Sequence, residues 1–173
     1  KFIFDKRLLI EKDIIQKATN ILGRTTWDRS NSYFFNPSAP YFHCARILRP
    51  SFYKIKRNPK EVIKHSIFIG NSAQPRKGAH FVLEAIALLK EEYPGIKLYV
   101  TGHKYDNNLK DWKTYFGYRA FLQRKIKELH LEENIVFLGV LPEQEMGLQI
   151  SKMNVYVMSS VIENSPNTLG EAM

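Results

Sequence analysis

The sequence predicts an α/β fold in which a parallel β-sheet carries helices on both faces. Two observations lead to this prediction. Between residues 66 and 173, four short apolar runs alternate with segments whose apolar residues recur at helical spacing. Strands that are each followed by a helix form a parallel sheet, because the helix returns the chain to the edge where the strand began. Apolar residues also make up 44% of the 173 residues, which suffices for a buried core.

The first third of the chain is expected to hold short elements. Apolar residues at helical spacing indicate a helix, and a short apolar run that ends in glycine indicates a strand. In order, the predicted elements are a helix over 7–18, a strand over 20–23 and a short helix over 28–36 that Pro37 ends. Residues 36–59 contain four prolines and are expected to form loops with short extended pieces. A domain boundary is expected near residues 56–65.

From residue 66 the predicted strands and helices follow each other regularly. They are a strand over 66–70, a helix over 78–93, a strand over 96–101, a polar loop over 104–113, a helix over 115–129, a strand over 135–138, a helix over 142–150, a strand over 154–158 and a helix from Pro166. Ligands of such sheets bind beyond the carboxyl ends of the strands. The loops that follow the strands are therefore the places to look for a site.

The charge is concentrated at one end of the chain. Residues 1–66 hold 14 Lys/Arg and 5 Asp/Glu, whereas residues 67–173 hold 12 of each, so the first third carries the whole net charge of +9. Such asymmetry suggests a surface for an anionic partner, namely membrane lipid, phosphate or nucleic acid, and a solvated basic face without a partner is equally compatible with it. The single cysteine, Cys44, can form neither an internal disulfide nor a zinc cluster, and we expect it to be buried.

The loop after the first strand of the predicted sheet, GNSAQPRKG over 70–78, is the first candidate site. It matches neither of the common glycine-rich phosphate fingerprints. It does place Arg76 and Lys77 directly before the N-terminus of a helix, where backbone N–H groups and cations together attract anions. A phosphate site and an exposed basic turn both remain compatible with this loop.

The last 15 residues, SSVIENSPNTLGEAM, are the second candidate. Ser165 followed by Pro166 is a helix start, which would leave the amides of Asn167 and Thr168 free to donate to a diphosphate. Glu163 and Glu171 have the spacing Glu-x7-Glu, and carboxylates so placed suit the hydroxyls of a sugar and of a ribose. The alternative is an ordinary capped helix with two glutamates facing solvent.

The segment ENSPNTLGEAM resembles the Glu-x7-Glu segment of retaining glycosyltransferase family 4, which has the two-domain GT-B fold. SIFIGNSAQPRKGAHFVLEAIALLK, GIKLYVTG, NIVFLGVLPEQEM and NVYVMSS are similar to the second domain of that family in order and spacing. ILGRTTWDRS through YFHCARILRPSFYK is similar to the end of its acceptor-side domain. The resemblance implies that residues 1–62 are the end of the N-terminal domain with the interdomain connection. Residues 63–173 are then the first part of a Rossmann-like C-terminal domain that binds a nucleotide sugar.

This resemblance implies a UDP- or GDP-sugar donor and a role for each matching residue. Lys77, with Arg76 beside it, would contact the diphosphate, and Glu163 would orient the donor sugar; Lys77 and Glu163 are the expected catalytic residues. Glu171 would hold the ribose. Asn71 stands where many members carry an arginine, so Arg76 is expected to take its role or the leaving group is held more weakly. The other expected donor contacts are the amides of Asn164, Ser165, Asn167 and Thr168 around the diphosphate and Leu141 and Glu143 near the base.

The implied activity is transfer of a hexosyl or related unit with retention, by front-face attack or, less favoured, by double displacement with Glu163 as nucleophile. No metal and no cofactor are expected. The acceptor is expected to be a sugar or a lipid-linked sugar in bacterial polysaccharide or glycolipid biosynthesis. We expect a cytoplasmic location, with the basic first third near an anionic inner membrane face and no nucleic acid bound.

Two other functions remain as alternatives. One is a nucleic-acid-binding module that uses the basic residues 1–66, and the other is a GT-B phosphorylase.

The sequence begins at Lys1 and stops at Met173 inside a predicted helix. We therefore expect a piece of a longer protein, and we expect these 173 residues alone not to turn over substrate.

Overall fold

A computed structural model describes residues 2–45, 47–70, 72–102, 104–105 and 116–173, except for the side chains of Phe2, Ile3 and Phe116. The chain forms two compact units. The first unit comprises Lys1–Ile47 together with Asn164–Asn167, and the second comprises Leu48–Glu163 together with Thr168–Met173. These compact units differ from the predicted functional domains, whose boundary at residue 62 stays a prediction.

The first unit contains two helices and two short parallel strands. Its elements are α1 (Phe2–Lys17), β1 (Ile21–Gly23), α2 (Thr26–Phe35) and β2 (Tyr41–His43). Thr25 and Asp28 form a capping box that starts α2, since each side chain accepts from the backbone N–H of the other. The buried side chain of Asn36 donates to the carbonyl oxygens of Ile15 (2.8 Å) and Ala18 (3.0 Å), which closes the end of α1. The predicted helices and the predicted strand of this region are therefore confirmed.

The second unit is built on a four-stranded parallel sheet. Its elements are β3 (Ile63–Ile69), α3 (Ala79–Leu89), β4 (Lys97–Thr101), α4 (Phe116–Glu128), β5 (Ile135–Gly139), α5 (Glu143–Ser151), β6 (Met153–Tyr156) and α6 (Asn167–Ala172), the last of which begins in the 164–167 segment. The strand order is β5-β4-β3-β6. The chain thus adds two strands on one side of β3 and then crosses to the other side. The predicted parallel sheet is confirmed.

Helices cover both faces of this sheet, as predicted. Alternate residues of a strand point to opposite faces. Ile69, Leu98 and Val100 pack against α3 and α4 in one hydrophobic core, whereas Phe68 and Tyr99 belong to a second core with residues of α5 and α6. Among the described residues, none of the helices is long and apolar enough to cross a membrane.

The structure corrects several details of the sequence analysis. β3 begins at Ile63, three residues before the predicted start, and α3 ends at Leu89, four residues before the predicted end. Both proline-started helices, α5 and α6, begin one residue after the proline. The prediction that Cys44 is buried is wrong, because its side chain is exposed and both hydrophobic cores lie in the second unit.

Candidate functional site

Two loops meet beyond the carboxyl ends of the neighbouring strands β3 and β6. The loop after β3 contains a short 3₁₀ turn, Pro75–Lys77, and the loop after β6 runs through residues 157–163. The Val161 N–H donates to the carbonyl oxygen of Arg76 at 2.9 Å. The Ser159 hydroxyl donates to the carbonyl oxygen of Lys77 at 2.7 Å. These two hydrogen bonds fix one loop on the other.

Lys77 and Glu163 form an ion pair where the two loops meet. The distance from Lys77 Nζ to Glu163 Oε2 is 2.6 Å, and the side chains remain 27% and 20% exposed. The hydrogen bond from Lys77, aided by a weaker one from Ser160, outweighs the effect of burial and lowers the pKa of Glu163 below its usual value. The carboxyl group is therefore ionised at neutral pH, and both charged groups can still be reached from solvent.

Gly78 explains how the two loops approach so closely. It caps the 3₁₀ turn and starts α3 in the left-handed conformation, with φ +66°. A Cβ atom at this position would overlap the carbonyl oxygen of Ser159. Only glycine combines this backbone angle with this contact, so the residue after Lys77 sets the position of the loop.

Thr168, in the first turn of α6, lies over the ends of the same two strands. Its Oγ1 accepts a hydrogen bond from the Tyr156 hydroxyl at 2.8 Å, at the end of β6. A Cβ atom on Gly70, directly after β3, would be 3.9 Å from the Thr168 side chain. Burial raises the pKa of Tyr156, so its hydroxyl keeps its proton and acts as the donor.

The carboxylates of Glu171 and Glu143 are both hydrogen-bonded by the segment that begins the second unit. We call residues 48–57 the connector segment. Arg49 donates from Nε and Nη2 to the two oxygens of Glu171 at 2.8 and 2.9 Å. The Ser51 N–H donates to Glu143 at 3.2 Å, its hydroxyl donates to the same oxygen, and these bonds lower the pKa of Glu143. Neither Arg49 nor Ser51 was a residue that the sequence pattern predicted as a partner.

The remaining predicted residues lie in several places. Asn71 falls outside the described residues. Arg76 is exposed, and its Nε donates to Gln74 at 2.9 Å. Leu141 is half-buried just before α5.

Asn164, Ser165 and Asn167 pack with the first unit. There the Thr25 hydroxyl donates to Asn164 Oδ1 at 2.6 Å, and the Asn164 amide donates to Asp28. Hydrogen bonds from the Arg24 N–H and from Asn164 lower the pKa of Asp28.

The described part of the chain contains no group of three or more His, Cys, Asp or Glu side chains that could hold a metal ion. The charged groups between β3 and β6 are instead one lysine and one glutamate, with an exposed arginine nearby in sequence. An ammonium group in a glycine-anchored turn can bind an anion. A neighbouring carboxylate can accept hydrogen bonds from hydroxyl groups.

Solved structures of other proteins share this architecture. Sucrose-phosphate synthase from Thermosynechococcus elongatus has a TM-score of 0.74 at 17% identity, with 97% of this chain and 41% of that chain covered. Anabaena HepE, in complex with UDP and glucose, has a TM-score of 0.71 at 16% identity, with 96% and 45% covered. A variant of S. aureus TarM, in complex with fondaparinux, alpha-GlcNAc-glycerol and UDP, has a TM-score of 0.69 at 17% identity, with 94% and 30% covered. The fold is thus of the GT-B glycosyltransferase class.

Sequence comparison identifies the family. Residues 63–173, more than half of the chain, match the family described as Glycosyl transferases group 1, and the chain belongs to this family. An uncharacterized glycosyltransferase of Methanocaldococcus jannaschii is 29% identical over 121 residues, which are 69% of this chain. The chain spans 26% of the length of that relative.

Proposed function

We propose that this chain supplies the nucleotide-sugar-binding part of a retaining glycosyltransferase, with the donor bound beyond the carboxyl ends of β3 and β6. The observation that carries the proposal is the Lys77–Glu163 ion pair at this edge, with both side chains partly exposed. A cation and a carboxylate placed together match the two ends of a sugar–diphosphate bond. The cation suits the diphosphate, and the carboxylate suits the hydroxyls of the sugar.

The proposed chemistry follows from the charges that develop during transfer. When the bond between the anomeric carbon and the diphosphate breaks, negative charge grows on the leaving phosphate oxygen. An ammonium group already held in place stabilises that charge more in the transition state than in the ground state. Lys77 fits this role because its turn is fixed by Gly78 and by the Ser159 hydroxyl.

Glu163 is proposed to orient the donor sugar. Its low pKa keeps it ionised, so it acts as a hydrogen-bond acceptor for sugar hydroxyls at neutral pH. Retention by front-face attack is proposed on the resemblance alone, as are Glu171 at the ribose and Leu141 and Glu143 near the base. The predicted roles of Asn71, Asn164, Ser165 and Asn167 stay predictions.

The printed ligands of two structural neighbours support this choice of donor. HepE was solved with UDP and glucose, and the TarM variant with UDP. We propose UDP- or GDP-sugars as donors and a sugar or lipid-linked sugar as acceptor, in polysaccharide or glycolipid biosynthesis. An anionic membrane surface is the proposed neighbour of the basic first third.

Thermal unfolding with added nucleotides tests the proposal. A ligand at about ten times its dissociation constant stabilises the folded state by roughly 1.4 kcal/mol, which is a readable shift of a few degrees for this size. We expect one of UDP, GDP or ADP, or its sugar conjugate, to raise the melting temperature of the 173-residue chain. The Lys77→Ala variant should lose most of this shift.

A matched control separates the loss of the site from the loss of a charge. Lys125 pairs with Glu84 at 2.5 Å between α4 and α3, with a side chain 17% exposed. Lys125→Ala removes the same charge and a comparable ion pair, so it should lower stability without changing the nucleotide shift. Equal nucleotide shifts in both variants and the wild type would contradict the assignment of Lys77.

A further inference from the structure

The Arg49–Glu171 pair is a bidentate contact of the second unit, and the proposed function does not explain the part that Arg49 plays in it. The Glu171 side chain is only 4% exposed, whereas that of Arg49 is 40% exposed. Two parallel N–H to oxygen bonds join them. Such bidentate pairs fix the orientation of a carboxylate as well as its position.

The Arg49 guanidinium is itself held from a second direction. It lies over the ring of Phe52, 4.7 Å from the ring centroid. Phe52 packs in the hydrophobic core that includes Met146 of α5 and Ala172 of α6. Leu48 contacts the backbone at Gly170, where a Cβ atom would be 3.2 Å from Leu48. The connector segment thus packs against α6, and these contacts hold Arg49 next to Glu171.

A nucleotide would not displace Arg49 from Glu171. The carboxylate is almost fully enclosed, and removing the guanidinium that contacts it would leave a buried charge unpaired, which is strongly unfavourable. The hydroxyls of a ribose are neutral and could not replace that charge. An ionised carboxylate accepts about four hydrogen bonds, however, and the guanidinium uses two of them. Acceptor positions of Glu171 therefore remain while Arg49 stays in place.

We propose that Arg49 is a positioning residue that aims Glu171 at the ribose of the donor nucleotide. This inference rests on the proposed function, because it assigns the recognition of the ribose within the same site. Arg49 compensates the charge of the enclosed carboxylate and turns its remaining lone pairs toward the 2′- and 3′-hydroxyls. The connector segment thereby sets the preference for ribonucleotides over deoxyribonucleotides.

Binding of ribonucleotides and their 2′-deoxy forms tests this directly. Titration calorimetry with UDP and dUDP, and likewise GDP with dGDP and ADP with dADP, measures the preference of the 173-residue chain for the 2′-hydroxyl. A hydrogen bond to a charged group corresponds to about a tenfold or larger difference in affinity. We expect that preference in the wild type. It should fall to about twofold or less in Arg49→Gln, which lacks the cation.

Two further variants keep the test decisive. Arg49→Lys retains the cation but not the bidentate geometry, so it should show an intermediate preference, and it decides the question if Arg49→Gln does not fold. Arg57 lies on the same connector segment, where its Nη2 donates to the carbonyl oxygen of Met153 at 3.0 Å. Arg57→Gln is therefore the matched control and should keep the full preference.

The possible results separate failure of this inference from failure of the proposed function. An unchanged preference in both Arg49 variants, or tighter binding of both nucleotides by them, would overturn the positioning role. Equal binding of ribo- and deoxynucleotide by the wild type would overturn it too. In each of these cases, weaker binding by Lys77→Ala would still support the donor site. Absence of binding by every nucleotide would overturn the proposed function and, with it, this inference.

Discussion

Gly78 is the residue on which the geometry of the candidate site depends most directly. It gives the turn a left-handed residue, and its missing side chain lets the backbone of Ser159 come into contact. A side chain here would push the two loops apart. Lys77, one residue earlier, would then move away from Glu163.

We expect Gly78→Ala to destabilise the protein by about 1–3 kcal/mol, through the strained backbone angle and the overlap with Ser159. Nucleotide binding should weaken with it, because the lysine turn shifts. Chemical denaturation and the nucleotide titration measure the two effects. Gly95→Ala is the control, since a Cβ atom at Gly95 would meet nothing within 4 Å. A Gly78→Ala variant as stable as Gly95→Ala would contradict this account.

At the scale of elements, the pairing of β3 with β6 is irregular and depends on a side chain. The register shifts between Ile63 and Ile67, so β3 has two more residues than β6 over this stretch. Ser66, fully buried there, donates to the carbonyl oxygen of Ile63 at 2.5 Å and accepts from the Asn154 N–H at 2.9 Å. Its hydroxyl thus joins β6 to β3 through Asn154 and pairs with a carbonyl oxygen of β3 itself in the irregular stretch.

Ser66→Ala should therefore lower the free energy of unfolding by about 1–3 kcal/mol, because it removes the buried hydroxyl that hydrogen-bonds both the Ile63 carbonyl oxygen and the Asn154 N–H. Urea denaturation measures the change. Ser151→Ala should be close to neutral, since that hydroxyl donates only to the carbonyl oxygen of Leu148 on an exposed part of α5. Equal stability of the two variants would show that the hydroxyl of Ser66 does not support the strand pairing.

The order and type of the elements could be predicted because they follow from local patterns. Apolar runs and helical spacing identified every strand of the four-stranded sheet and the helix that follows each of them. The ends were harder to predict. The sequence 90–93 suits a helix, yet Pro94 disfavours helical geometry at Tyr93, and the helix already ends at Leu89. The Lys90 ammonium instead donates to the carbonyl oxygens of Leu129 and His130.

The candidate site was predictable only where its residues follow the strands. Lys77 and Glu163 were candidates because of their places after predicted strands and because of the family resemblance, and the structure pairs them across 86 residues. Arg49 could not be found in this way. It precedes a proline in a segment without regular pattern, and its partner lies 122 residues further along the chain. Only the folded connector segment brings the two together.

At the scale of the whole molecule, the positive charge is a property of the first 66 residues. Their net charge is +9, and the rest of the chain is neutral. A surface with excess positive charge binds anionic membranes through contributions of about 1 kcal/mol per basic residue near the surface. The same charge would bind nucleic acid if that were the function.

We expect the chain to bind phosphatidylglycerol vesicles at low salt, but not phosphatidylcholine vesicles, with binding lost at about 0.5 M salt because the attraction is screened. Reversing three exposed lysines of the basic part, Lys54, Lys56 and Lys60, to Glu should weaken binding more than about tenfold. Reversing Lys104, Lys127 and Lys152 changes the net charge equally and should have a smaller effect. Sedimentation with vesicles measures binding in each of these cases.

Duplex DNA provides the comparison that distinguishes the alternative function. Steeply salt-dependent DNA binding, with no effect of any nucleotide on thermal stability, would favour the nucleic-acid module over the glycosyltransferase. Vesicle binding together with a nucleotide shift would favour the proposed function.

The chain crosses from β5 to β6, on the other side of β3, and this strand order means that the candidate site forms late in synthesis. During synthesis on the ribosome, β3, β4 and β5 emerge in the order in which they pair, and each of these pairings joins strands that are closer in the chain than β3 and β6. β6 and the loop that carries Glu163 emerge afterwards and must pair with a strand made almost 90 residues earlier. Lys77 can therefore pair with Glu163 only after β6 has been added to the sheet. A nascent chain that lacks β6 and this loop therefore has only the Lys77 half of the candidate site.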